Sequence, residues 1–166
     1  MTDESKIPQT DLTESTQLEL GGANLDHVIA FYNDGRAHLF KPQQTGIIEI
    51  VCEDYVSDDA ERKGCCTIGS RRICPCPIPF SNPDEVTVTD LSPAAQLEFE
   101  SNGYSLDYVL AYYTDGSARL FKPQQRDRIE VSSETSMPFA SSMSLVSSGS
   151  SMRCCTIRGV RYCPCR

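Results

Sequence analysis

LDHVIAFYNDGRAHLFKPQQ, residues 25–44, is the stretch that decides the fold, because residues 106–125 repeat it as LDYVLAYYTDGSARLFKPQQ. In both stretches an apolar run rich in β-branched and aromatic residues leads into an Asp-Gly pair, and an alternating apolar run follows. Such residues favour strands, and glycine supplies the positive φ that tight hairpin turns need. Each stretch therefore predicts a β-hairpin, which Pro42 and Pro123 end because proline donates no hydrogen bond to a sheet.

The similarity extends from the hairpins in both directions. TDLTESTQLEL at residues 10–20 matches TDLSPAAQLEF at 89–99, and CCTIGSRRICPCP at 65–77 matches CCTIRGVRYCPCR at 154–166. We interpret residues 10–80 and 89–166 as a tandem duplication and name these ranges copy one and copy two. A flexible tail over residues 1–9 and a linker over 81–88 complete the predicted organisation.

The predicted fold class is mainly β, with each copy a small antiparallel β-meander. We expect residues 18–20 to form a strand before the hairpin, and residues 47–50 with their counterparts 128–131 to form a third strand after it. No segment has a helical period sustained over ten residues. Each meander is predicted to end in a Cys-rich β-hairpin, and the copies are expected to pack sheet against sheet with pseudo-twofold symmetry.

Composition restricts the partners and the location. The formal net charge of −8 argues against a nucleic-acid binder, because affinity for phosphate depends on Lys and Arg. The amino terminus carries early acidic residues rather than the apolar run of a secretory signal, and no stretch approaches the roughly 20 apolar residues of a membrane span. We therefore predict a cytoplasmic protein, with a non-standard leader ending near residues 21–22 as the alternative. The Ser-rich residues 132–152 are predicted to be a flexible loop.

The cysteine segments share the spacing Cys-Cys, seven residues, Cys-Pro-Cys. Pairing Cys65 with Cys74, and Cys154 with Cys163, would leave a two-residue turn in each segment. Four thiolates within twelve residues could complete a tetrahedral zinc site. The candidate ligands are Cys65, Cys66, Cys74, Cys76, Cys154, Cys155, Cys163 and Cys165.

Zinc is the preferred interpretation because reducing conditions in the cytosol disfavour stable disulfides. The adjacent Cys-Cys and Cys-x-Cys pairs resemble the crowded ligands of metallothioneins, and this resemblance implies that Cu(I) is also a candidate metal. The first alternative is a set of disulfides that stabilise small domains. The second is thiol reactivity, because nearby arginines such as Arg72 and Arg161 would lower thiol pKa values. Cys52 has no counterpart in copy two and is interpreted as an incidental thiol.

The repeated LFKPQQ is the predicted surface for a protein partner or for self-assembly. Its candidate contact residues are Lys41, Gln43, Lys122 and Gln124. His27 and His38 are replaced in copy two, so no histidine is duplicated, and no catalytic motif is present. We therefore predict a non-enzymatic, tandem-repeat protein-binding or assembly module with two structural metal sites. The alternatives are a secreted peptide precursor with disulfide or thioether bridges, and a thiol-redox or metal-responsive regulator.

Overall fold

The computed structural model describes residues 8–54, 66–68, 71–74, 87–127, 129, 131–133, 153–157 and 160–163. The elements in chain order are β1 (Gln9–Asp11), α1 (Glu14–Leu20), a 3-10 turn (Gly22–Asn24), β2 (Leu25–Tyr32), β3 (Ala37–Lys41), β4 (Ile50–Asp54), β5 (Cys66–Ile68), β6 (Arg71–Cys74), β7 (Val88–Asp90), α2 (Pro93–Phe99), β8 (Leu106–Tyr113), β9 (Ala118–Lys122), β10 (Val131–Ser133), β11 (Arg153–Ile157) and β12 (Val160–Cys163). The protein is mainly β, as predicted.

The chain divides into two compact units, and each unit takes segments from both copies. Unit A comprises residues 7–48 and 87–129, and unit B comprises residues 1–6, 49–86 and 130–166. The first half of copy one thus folds with the first half of copy two, and the second halves do likewise. The boundaries of the compact units therefore cut across the boundaries of the sequence copies.

Unit A is built on a mixed six-stranded sheet in the order β1-β3-β2-β8-β9-β7. The hairpins β2–β3 and β8–β9 are antiparallel, and β2 pairs antiparallel with β8 at the centre. In this central pair Ile29 lies opposite Leu110, its own counterpart in copy two. The copies are thus joined edge to edge within one sheet, rather than face to face as predicted.

The outer strands of unit A correct the prediction of a purely antiparallel meander. β1 runs parallel to β3, and β7 runs parallel to β9. Parallel neighbours need a long crossover connection. The chain from β1 to β3 passes through α1 and β2, and the chain from β7 to β9 passes through α2 and β8.

The helices also correct the strand predicted over residues 18–20. Thr13 and Ser92 cap the two helices, each accepting a hydrogen bond from the backbone N–H three residues on. Leu12 and Leu20 are buried, whereas Leu18 is 74% exposed, so the apolar positions follow the helical turn rather than strand alternation. Each helix has only seven residues, too few to produce the sustained period that sequence analysis requires.

The predicted third strand is displaced along the chain. Ile48 is buried and Ile47 is 89% exposed, but no strand forms until β4 begins at Ile50. The Gln9 side-chain amide makes two hydrogen bonds to the backbone of Ile48. Its Nε2 donates to the Ile48 carbonyl at 2.6 Å, and its Oε1 accepts from the Ile48 N–H at 3.1 Å. A side chain thus takes the place that a neighbouring strand would occupy, and β4 belongs to unit B.

Unit B contains a six-stranded antiparallel sheet in the order β10-β5-β6-β12-β11-β4. The two copies contribute interleaved strands, because β4 of copy one pairs with β11 of copy two, and β10 of copy two pairs with β5 of copy one. β5 pairs with β6 so that Ile68 faces Arg71, and β11 pairs with β12 so that Ile157 faces Val160.

Candidate functional site

The cysteine segments lie in the sheet of unit B. Cys74 ends β6 and Cys163 ends β12; their residues are 2% and 4% exposed, and each is disulfide-bonded. Cys66 lies in β5, and Cys154 and Cys155 lie in β11. Outside the described part of the structure are Cys65, Cys76, Cys165, the side chains of Cys66, Cys154 and Cys155, and the Ser-rich residues 134–152.

Two buried arginines adjoin these cysteines in the strand register. Arg161 is the partner of Cys74, and Arg72 is the partner of Cys163, across the β6–β12 pair. Both arginines are buried. Arg72 lies on β6 of copy one and Arg161 on β12 of copy two, and these two strands pair with each other. Within the described residues no group of three or more His, Cys, Asp or Glu side chains is placed to hold a metal ion. The zinc site stays a prediction, because most of its candidate ligands lie beyond that part of the chain.

The two lysines of LFKPQQ make contacts inside unit A. Lys41 is buried, and its Nζ forms a 2.6 Å ion pair with Asp11 at the end of β1. Lys122 pairs with Asp90 at the end of β7, also at 2.6 Å. Each ammonium donates a second hydrogen bond to a backbone carbonyl of the turn that follows. The repeated lysines therefore fasten the parallel outer strands to the sheet.

The first glutamine of each LFKPQQ has a similar internal contact. Gln43 donates to the Leu12 carbonyl and Gln124 to the Leu91 carbonyl, both at 3.0 Å. These bonds join the turn after β3 or β9 to the start of the adjacent helix. Internal contacts thus account for the repetition of LFKPQQ, and its role as a surface for partners stays a prediction.

Each helix also receives a carboxylate from the helix of the other copy. Glu98 of α2 accepts hydrogen bonds from the Thr13 N–H at 2.9 Å, the Thr13 hydroxyl at 2.7 Å and the Thr16 hydroxyl at 2.6 Å. Its counterpart Glu19 of α1 accepts from the Ser92 N–H at 2.9 Å and the Ser92 hydroxyl at 2.6 Å. A carboxylate at a helix amino terminus is stabilising because the free N–H groups carry partial positive charge.

The opposite ends of the helices are joined in the same reciprocal way. The Tyr32 hydroxyl donates to the Phe99 carbonyl at 2.6 Å, and the Tyr113 hydroxyl donates to the Leu20 carbonyl at 2.5 Å. Burial raises the pKa of Tyr32 to about 12 and also raises the pKa of Tyr113. Both hydroxyls therefore remain protonated donors at neutral pH. The sequence analysis did not predict these bonds, although Glu and Tyr stand at matching positions in both copies.

A groove of about 530 Å³ opens at one end of unit A. It lies between the carboxyl-terminal end of α1 and the turn that joins β8 to β9. Its lining includes Leu18, Leu20, Asn24, Tyr113, Ser117 and Arg119. The groove combines an exposed leucine, an aromatic side chain and a guanidinium group, and no motif in the sequence indicated it.

The histidines have different environments. His27 is buried, stacks on Tyr112 with ring centroids 4.8 Å apart, and has Nδ1 2.8 Å from Asp26. His38 stacks on Phe40 at 4.5 Å. Burial lowers the pKa of His38 to about 4, so this side chain is neutral at physiological pH.

Comparisons with protein families, with curated proteins and with solved structures found no match. The helices in the described part of the chain are too short to cross a membrane.

Proposed function

We propose that this chain is a non-enzymatic protein-binding module, built by tandem duplication and stapled by disulfides in its cysteine segments. The observation that carries the proposal is the groove beside α1. Leu18 lines it and is 74% exposed, although a leucine on a soluble protein gains free energy when it is covered. Binding sites on proteins are typically concave and combine apolar contacts with a few polar groups.

The reciprocal contacts of unit A support the duplication. Glu19 and Glu98 exchange helix caps, and Tyr32 and Tyr113 exchange bonds to helix ends. Such paired contacts are what a symmetric dimer makes when its two chains become one. The polar residues common to both copies thus have scaffolding roles, which leaves positions that differ between the copies to provide specificity.

The bridged state of Cys74 and Cys163 favours covalent staples over metal ligation for these two residues. Disulfides persist in oxidising compartments and are rare in the cytosol. The proposed disulfides therefore disagree with the predicted cytoplasmic location. The carboxyl-terminal strands β11 and β12 pair with β4 and β6, and Tyr162 and Ile157 are buried. That integration argues against release of the tail as a free peptide.

A photo-crosslinking residue placed at Leu18 tests the binding function. The matched control is Leu97, its counterpart on α2, which is 70% exposed and does not line the groove. In cells that produce the protein, we expect a discrete protein adduct from position 18 and little from position 97. Equal labelling at both positions, or no adduct at position 18, would contradict a binding role for the groove.

A further inference from the structure

In copy two, a tyrosine side chain, Tyr104, occupies the place that corresponds to the groove beside α1. Between helix and strand, copy one has residues 21–24, whereas copy two has the longer segment 100–105. Gly22 and Gly103, which both have positive φ, mark the same point in the two connections. Ala23 in copy one therefore corresponds to Tyr104 in copy two.

Tyr104 is held on two sides by copy one. Its ring meets the Tyr32 ring edge to face at 5.9 Å, and the Arg36 guanidinium carbon lies 4.4 Å from its ring centroid. Arg36 Nη1 also donates to the Tyr104 hydroxyl at 2.6 Å. Guanidinium groups and aromatic edges are both favourable neighbours of an aromatic face, so this place in unit A is suited to a phenol ring.

The open groove has matching surroundings without the ring. Tyr113 is the counterpart of Tyr32 and lines the groove. Ser117 stands at the position of Arg36, but Arg119 of β9, two residues further along the chain, supplies a guanidinium to the lining. Ala23 is too short to enter as Tyr104 does.

We propose that the groove beside α1 binds an exposed tyrosine side chain of a partner protein, whose ring takes the place that Tyr104 takes in copy two. The ring would lie against Tyr113 and Leu18, and Arg119 would contact its face or hydroxyl. This inference rests on the proposed binding function and specifies the partner's anchoring residue.

The direct test is an NMR titration of the full chain with N-acetyl-tyrosinamide, followed through backbone amide shifts. We expect saturable shifts at Gly21, Asn24, Thr114 and Ser117, with weak affinity of about millimolar for a single side chain. N-acetyl-alaninamide should produce none. The variant Arg119→Ala should weaken binding about fivefold, the loss expected when one cation–π contact is removed.

The variant Tyr104→Ala provides a gain-of-function test. It empties the second groove, so a second set of saturable shifts should appear near Asn33 and Arg36 while the first set is kept. The amide spectrum itself reports whether the variant is folded. If wild type shows no saturable shifts at the groove, or if folded Tyr104→Ala gains no second site, the inference is overturned. A specific adduct at Leu18 would still support the binding function in that case, so the two proposals can fail separately.

Discussion

At the residue scale, His38 couples the stability of unit A to pH. Its Nε2 lies 2.6 Å from the Thr10 hydroxyl, and its ring stacks on Phe40. Burial lowers its pKa from 6.5 to about 4. Between these values the unfolded chain binds a proton that the folded chain does not, so the free energy of unfolding falls as pH falls.

We expect His38→Gln to remove part of this pH dependence. Relative to pH 7, wild type should lose about 1 to 2 kcal/mol more than the variant by pH 4, allowing for solvent screening of a partly exposed ring. Denaturant unfolding at several pH values measures the difference, and NMR of the ring protons reports the pKa itself. If the free energy of unfolding fell equally with pH in wild type and variant, His38 would not be a source of the pH dependence.

Lys41 provides a second test at this scale, because its structural and partner-binding roles predict different results. Lys41→Met removes the ion pair to Asp11 and the bond to the turn, and should lower the free energy of unfolding by about 1 to 3 kcal/mol. Gln44→Ala, in the same LFKPQQ segment but exposed, is the control and should change it by less than about 0.5 kcal/mol. Unchanged stability in Lys41→Met would instead favour a surface role.

At the element scale, the sequence analysis predicted the two Asp-Gly hairpins correctly and missed the helices, for physical reasons. The Asp-Gly turns are local: Gly35 and Gly116 have φ of 95° and 90°, which the residue type itself indicates. The helices depend on groups distant in sequence, because Glu98 and Glu19 cap helices of the other copy. Seven-residue helices are marginal by themselves, so no local pattern could establish them.

The reciprocal cap gives a prediction for the helices. Glu98→Gln removes the negative charge from the amino terminus of α1 and should destabilise unit A by about 1 kcal/mol. Glu14→Gln, an exposed acid in the first turn of the same helix, is the matched control and should cost at most about half as much. Thermal unfolding of both variants checks the order, and equal losses would show that the interhelical cap is unimportant.

At the scale of the whole molecule, the copies recognised in the sequence are not the compact units of the structure. Internal similarity shows which residues correspond, but not which strands pair. β2 could have remained an edge strand of copy one, whereas it pairs with β8, and β4 pairs with β11. A single copy is small and would bury only a modest core. Because strands of the two copies pair with each other, each unit buries residues from both halves of the chain.

This exchange predicts the behaviour of copy one expressed alone as residues 1–86. Without β8, strand β2 becomes an edge of a sheet with unpaired backbone groups. The fragment should be unfolded or should form a homodimer through β2, because the β2–β8 register is symmetric about Ile29 and Leu110. Light scattering and circular dichroism distinguish the outcomes, and a folded monomer would contradict the exchanged architecture.

The central claim of a disulfide-stapled module is tested most directly by the intact mass of the untagged protein, purified without added metal or reductant. Native and acid-denatured spectra of one sample should both lack metal, and the denatured mass should be lower than the reduced mass by two hydrogens per bridge. Peptide mapping should then find Cys74 and Cys163 in bridges. A native mass that carries zinc, lost on acidification to leave the fully reduced chain, would contradict the claim and favour metal sites.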